Sequence, residues 1–198
     1  MTRDRRQSFE RMLRRIPALL ALLLSLAANP PTGATTLMRM SLSQMSRAAK
    51  LVVRARCLGN SAGWDAGEIW TFTSFAVEES WRGSAPSQVS VRLLGGRLGN
   101  ITSTVSGIPR FSAGEEVILF LEPTPRGDFS IVSWEQGTFR VLRDARTGEE
   151  IAVQDTASFP VFDPVARRFE AAGIRDVPVA ALRARVDAAV RAETGSRP

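Results

Sequence analysis

The chain has 198 residues, 44% of them apolar, and a formal charge of +6, which allows one domain of ordinary size with a sizeable core plus appendages. It contains no histidine and a single cysteine, Cys57. Those absences remove the usual general base, the usual nucleophile-activating partner, the commonest zinc ligand, any intrachain disulfide, any Cys-x-x-Cys redox pair and any thiolate cluster.

The charge is unevenly placed. Residues 1–34 hold six arginines against Asp4 and Glu10, a surplus of four, so the remainder carries only +2 with both signs interspersed. An acidic partner is permitted by this balance and not demanded by it. After the Arg-rich start, Ile16 to Ala28 is an apolar run followed by small residues, the pattern of a secretory signal peptide. Cleavage is expected after Ala27, with Ser25 at −3, or after Ala34, with Thr32 at −3. The run falls short of the ~20 residues that span a bilayer, so no stable membrane span is expected after removal. The reading is an exported chain, secreted or periplasmic.

Ser41 stands at an N-cap position before apolar residues 42, 45, 48 and 49, which predicts a short amphipathic helix. Leu51, Val53, Ala55 and Cys57 then alternate with Arg54 and Arg56, predicting a first strand with one wet face and a buried, inert thiol at Cys57. Gly59 to Gly67 reads as a loop. Ile69 to Trp81 is a long β-rich stretch with Phe75 and Val77 facing one way, long enough to require a bend or bulge. Val89 to Leu93 alternates as a third strand, followed by a long loop from Gly95 to Phe111.

Gly114 to Pro123 encloses the apolar run Val117-Ile118-Leu119-Phe120-Leu121, too short for a buried helix and suited to a strand buried on both faces. The neighbouring, half-polar strands are expected to wrap around it. Turn residues Pro125 to Asp128 predict a hairpin return over Phe129 to Trp134. Gly137 to Leu142 is a further strand, 146–149 a turn, and 154–170 irregular. Asp176 is expected to cap a C-terminal helix with Pro178 in its first turn, burying Val179, Leu182, Val186 and Val190. The expected organisation is a leader over 1–34, a β domain over 35–153, and an irregular segment plus helix over 154–198.

No constellation of catalytic residues emerges. Asp155-Thr156-Ala157-Ser158 lacks the glycine turn and the second copy that an aspartic-protease dyad requires. The adjacent pairs Glu78-Glu79, Glu115-Glu116 and Glu149-Glu150 would point to opposite faces of a strand, which favours solvated strand ends over a shared proton or metal. A hydrolase assembled from carboxylates alone is the competing class. Ser46 and Lys50 are four apart rather than three, so no Ser-x-x-Lys motif forms. Gly95-Gly96 lacks nucleotide-binding spacing and reads as a rim turn. Trp64, Trp70, Trp81 and Trp134 with Arg54, Arg56 and Arg82 could suggest single-stranded nucleic acid, but export and near-neutral charge after processing argue against that ligand. Arg54, Arg56, Trp81, Arg82 and Trp134 are therefore the candidate partner-binding surface, since Trp and Arg favour protein contacts. No catalytic, metal or cofactor residue is assigned.

Three stretches carry a family resemblance: Ala48 to Arg56, Phe75 to Gly83 with its Trp81-Arg82-Gly83 ending, and Gly114 to Leu121. Over residues 45–142 the pattern resembles a netrin-like module, the OB-type barrel of the tissue inhibitors of metalloproteinases. The resemblance implies a small OB-like closed or partly open barrel and a protein partner; with the helices read from spacing, the expected fold is mainly β, such a barrel with a short N-terminal helix and a C-terminal amphipathic helix. Those inhibitors chelate a protease zinc through an N-terminal cysteine. This chain has none near either expected mature start, so no site residue is carried over. The expectation is an exported, non-enzymatic binding protein that recognises a protein or envelope component. Regulation of an extracellular protease by a cysteine-independent route is a sharper version.

Overall fold

A computed structural model describes residues 37–154, 156, 160–170 and 173–194. The expected leader with its alternative cleavage positions, most of the Asp155–Ser158 segment and the tail 195–198 lie outside the described residues.

Twelve strands and two helices follow in order among the described residues. They are helix α1 (Leu42–Ala48), β1 (Leu51–Asp65), β2 (Glu68–Arg82), β3 (Gln88–Leu94), β4 (Gly96–Leu98), β5 (Ile101–Ser103), β6 (Glu116–Pro123), β7 (Phe129–Ile131), a 3-10 turn (Trp134–Gly137), β8 (Thr138–Arg143), β9 (Glu150–Gln154), β10 (Val161–Asp163), β11 (Arg168–Glu170), β12 (Val177–Pro178) and α2 (Val179–Thr194). Strand β1 pairs with both β2 and β6, and the cyclic order β1-β2-β3-β7-β6 returns to β1. The fold is mainly β, a partly open ring. Its weakest seam is the parallel β3–β7 contact, one residue pair at Val91 and Phe129. From β6 the sheet also branches outward through β8, β9 and β12.

The apolar run of β6 sorts its side chains between two cores. Val117, Leu119 and Leu121 point into the ring with Val53, Ala55, Cys57, Phe75 and Val91. Ile118 and Phe120 point outward, where Met45 of α1 and Leu182 and Val186 of α2 cover them with Val52 and Phe139. Every residue from 117 to 121 is fully buried, as the unbroken apolar run requires of a strand covered on both faces. The expected apolar stripe of α2 holds at Val179, Leu182 and Val186, with Val190 partly buried. In α1, the Ser41 hydroxyl accepts from the Gln44 backbone N–H while the Gln44 side chain accepts from the Ser41 N–H, a reciprocal capping box. Buried Gln136 ties down the lead-in to α1, its amide donating to Met38 O at 2.9 Å and accepting from Met40 N at 2.8 Å.

Several expectations are corrected. The second face of β1 is wet only in part: Val52 is fully buried beneath the helices and Arg54 is mostly covered, while Arg56 and Leu58 are exposed. Gly59–Gly67 is not a loop: β1 continues to Asp65 in unbroken register with β2, and only Ala66 and Gly67 turn, both at positive φ. Turn-forming Gly, Asn and Ser are held extended there because the partner Glu68–Ser74 is strongly β-forming, a tertiary override of local propensity. The return strand β7 stops at Ile131 because Ser133 and Trp134 adopt left-handed backbone. Short hairpins form inside the segments expected to be irregular, β4–β5 and β10–β11. Asp176 does not cap α2; it is itself left-handed, and Val177–Pro178 pairs with β9 before the helix begins.

Candidate binding site at the mouth of the ring

Three bulges decide where the charged side chains go. Leu58 in β1, and Glu78 and Trp81 in β2, are each skipped by the β1–β2 register. An extra residue opposite one partner residue rotates the strand locally, so Glu78 and Glu79 both reach the same guanidinium. Arg54 lies 3.8 and 3.7 Å from these two carboxylates, forks onto Glu150 at 3.0 and 3.1 Å, and bonds to Glu116. The Arg54 side chain is only 15% exposed. Its hydrogen bonds to Glu150 raise the guanidinium's pKa despite burial, and the same bonds hold the Glu150 carboxyl below its usual range. Arg56 bridges Glu78 at 2.9 Å and Glu116 at 3.1 Å. Glu115 takes Arg140 at 2.8 Å. The carboxylates expected to be solvated strand ends are thus bound up in an arginine network, apart from Glu149.

The five residues of the expected partner surface separate accordingly. Arg54 and Arg56 share Glu78 and Glu116. Trp81 is buried in the helix-side core, with Nε1 donating to Glu79 Oε2 at 3.2 Å and the Arg183 guanidinium 5.9 Å from its ring centre. Arg82 pairs with Glu193 of α2 at 2.7 Å. Trp134, half-buried, sits apart on the 3-10 turn after β7. These residues mainly fasten α2 and β9 to the ring. Cys57 is buried, and burial pushes its thiol pKa up, which matches an inert cysteine.

A different site lies at the end of the ring where the β1–β2 hairpin projects. A pocket of about 310 Å³ is lined by Asn60 to Ala62 of β1, Thr71 and Thr73 of β2, Leu93 and Leu94 of β3, the Gly95–Arg97 corner, Val105, and Ile108 to Phe111. Its floor is fixed by internal bonds. Thr73 Oγ1 donates to Asn60 Oδ1 at 2.6 Å, Asn60 Nδ2 donates to Phe111 O at 2.7 Å, and Thr71 Oγ1 donates to Gly95 O at 2.7 Å. Phe111 is locked edge-on against Phe75, with centroids 5.0 Å apart. The Gly95-Gly96 rim turn is required here: Gly96 has φ +143°, and a Cβ on it would overlap Thr71 Oγ1.

The lining chemistry is one-sided. The threonine hydroxyls use their protons internally, leaving only acceptor capacity toward the cavity. The rim carries two cations, Arg97 and Arg110, and the lining contains no carboxylate. Arg97 donates to Gly99 O at 3.2 Å and Arg110 to Thr104 Oγ1 at 3.4 Å, neutral partners only. Valine, isoleucine, leucine and phenylalanine supply the apolar wall. Sequence reasoning missed this site because it took Asn60–Ala62 for a loop. Asn60 and Thr73 face each other only once the hairpin register is known.

Among the described residues, no group of His, Cys, Asp and Glu is placed to hold a metal ion, and no helix is long and apolar enough to cross a membrane. No known family model matches the chain, and no curated protein matches it.

Proposed function

We propose that this chain is an exported, non-enzymatic binding protein that recognises a protein or envelope component through the mouth pocket of its ring. The observation that carries the reading is the pocket lining: an apolar wall, fixed hydroxyl and amide groups, and two arginines with no carboxylate among the lining residues. Such a cavity suits a ligand combining N–H donors, an apolar stem and a negative charge, the chemistry of a peptide. The leader pattern at the N-terminus supports export, and the loose netrin-like resemblance supports a protein partner. Hydrolysis by carboxylates is disfavoured by the arginines that occupy Glu78, Glu79, Glu115, Glu116 and Glu150.

The test is photo-crosslinking from exposed Ser106 in cell fractions, comparing the native chain with Val105→Trp, which sets a bulky ring at the cavity wall. A product in the medium or envelope fraction that disappears in the variant supports the reading. A product indifferent to Val105→Trp, or retention of the uncleaved chain in the cytosol, overturns it.

A further inference from the structure

Beyond the ring, β1 pairs with β2 alone among the described residues. Its pairing with β6 ends at Arg56 and Glu116, closed by Cys57 N donating to Glu115 O and Gly114 N donating to Cys57 O, both at 2.8 Å. From Gly59 to Asp65 the register with β2 is unbroken. Among the described residues, no backbone group pairs with the side of this segment that faces away from β2. Native sheets usually protect such an edge with lysine, proline or a bulge. Residues 59–64, Gly-Asn-Ser-Ala-Gly-Trp, carry no lysine, no proline and no bulge of their own; the Leu58 bulge precedes them, and the acidic Asp65 that follows is taken up by Arg92 and Arg126.

The glycines sharpen the point. Gly59 and Gly63 both lack the left-handed φ that would demand glycine. A Cβ on Gly59 would meet nothing within 4 Å, and one on Gly63 only a Phe72 ring carbon at 4.0 Å. Neither turn geometry nor packing requires them. Glycine within a strand otherwise marks a place where a second backbone comes close. The segment ends in Trp64, 58% exposed. By strand alternation Asn60, Ala62 and Trp64 share one face, opposite Thr73, Thr71 and Ile69, which is the face of the pocket.

We propose that the free edge of β1 from Gly59 to Asp65 receives an extended, acidic segment of a partner protein as an added strand, with one carboxylate reaching Arg97 or Arg110 at the pocket rim. This rests on the binding reading above and names its partner class. At ~3.4 Å per residue the edge accommodates about six residues of peptide. Main-chain hydrogen bonds supply affinity, and alternate side chains entering the pocket supply specificity. Charge selects this occupant over a second copy of the chain. Edge-to-edge pairing of two copies would bring like-charged arginine rims toward one seam, whereas an acidic strand neutralises them.

The experiment pans a displayed library of random octapeptides against the full chain and measures the selected peptides by fluorescence anisotropy. Selection of Asp- or Glu-bearing, β-branched sequences is expected. N-methylation at alternate peptide positions should weaken binding at least tenfold, while methylation at the positions between should leave it unchanged. Panning the double variant Arg97→Glu/Arg110→Glu, both exposed positions, should turn the selection toward Lys and Arg. Binding that tolerates every N-methylation but is lost in Val105→Trp overturns strand addition and leaves the pocket reading standing. Binding that shows the alternate pattern yet ignores Val105→Trp keeps the strand and removes the pocket. Selection of no peptide, or a concentration-dependent dimer that excludes peptide, overturns the inference, and the Ser106 crosslink then judges the pocket separately.

Discussion

Replacing Arg54 by methionine tests whether the carboxylate network holds the molecule together. The change keeps an unbranched apolar stem and removes a guanidinium that bonds to Glu116 and forks onto Glu150. An exposed ion pair contributes ~0.2–1 kcal/mol, while removing one partner of a buried pair costs ~3–5 kcal/mol. Arg54 is mostly buried, but its partners are not abandoned. Glu116 keeps Arg56 at 3.1 Å, and Glu150 keeps Arg143 at 3.6 Å. The expected loss at neutral pH is therefore intermediate, about 2–3 kcal/mol.

The pH dependence gives a second handle on the same variant. The folded Glu150 carboxyl lies below its ordinary value of 4.5, chiefly because Arg54 donates to it. Its contribution is therefore fully present above that ordinary value and is lost as pH falls through the depressed folded value. The stability gap between native chain and variant should be widest at neutral pH and narrow in acid. Urea unfolding followed by tryptophan fluorescence, repeated from neutral to acid pH, measures both quantities. Arg54→Lys should recover only part of the loss, since an ammonium cannot fork onto Glu150. A cost under about 0.5 kcal/mol with no pH dependence would refute the argument and reduce the network to an ordinary solvated surface.

Four further outcomes are expected. Phe120→Ala, at the centre of the helix-side core, should cost about 3–5 kcal/mol in the same urea assay. Gly59→Ala and Gly63→Ala should each stabilise by roughly 0.5–1 kcal/mol, because ordinary φ and free space make alanine acceptable. Gly96→Ala should instead destabilise, which differential scanning calorimetry of the three variants resolves. Cys57 should resist alkylation in the native chain and react only as urea unfolds it, read by intact-mass analysis with iodoacetamide.

What could be read from residues alone followed from periodicity. The run 117–121 announced a doubly buried strand, and 51–57 showed its inward face. Residues 179, 182, 186 and 190 marked the buried stripe of α2. These signals survive without knowledge of the partner elements because burial acts on each residue separately. The length of Ile69–Trp81 called for a bend or bulge, and the structure bears that out, but the places at Glu78 and Trp81 could not be read that way, since a bulge's position is a property of two strands in register. Without those places, strand alternation sent Glu78 and Glu79 to opposite faces, whereas both approach Arg54. The same limitation hid the pocket, whose floor joins Asn60 to Thr73 and Phe111 across three separate segments.

Strand β6 has a mechanical consequence. Its odd-numbered apolar residues brace one compartment and its even-numbered ones the other, so it acts as a party wall between neighbouring rooms. Loosening the helical side at Ile118 or Phe120 shifts a backbone that also positions Val117, Leu119 and Leu121. The two compartments should therefore melt in a single step, and damage on the far side of the wall should be felt at the hairpin.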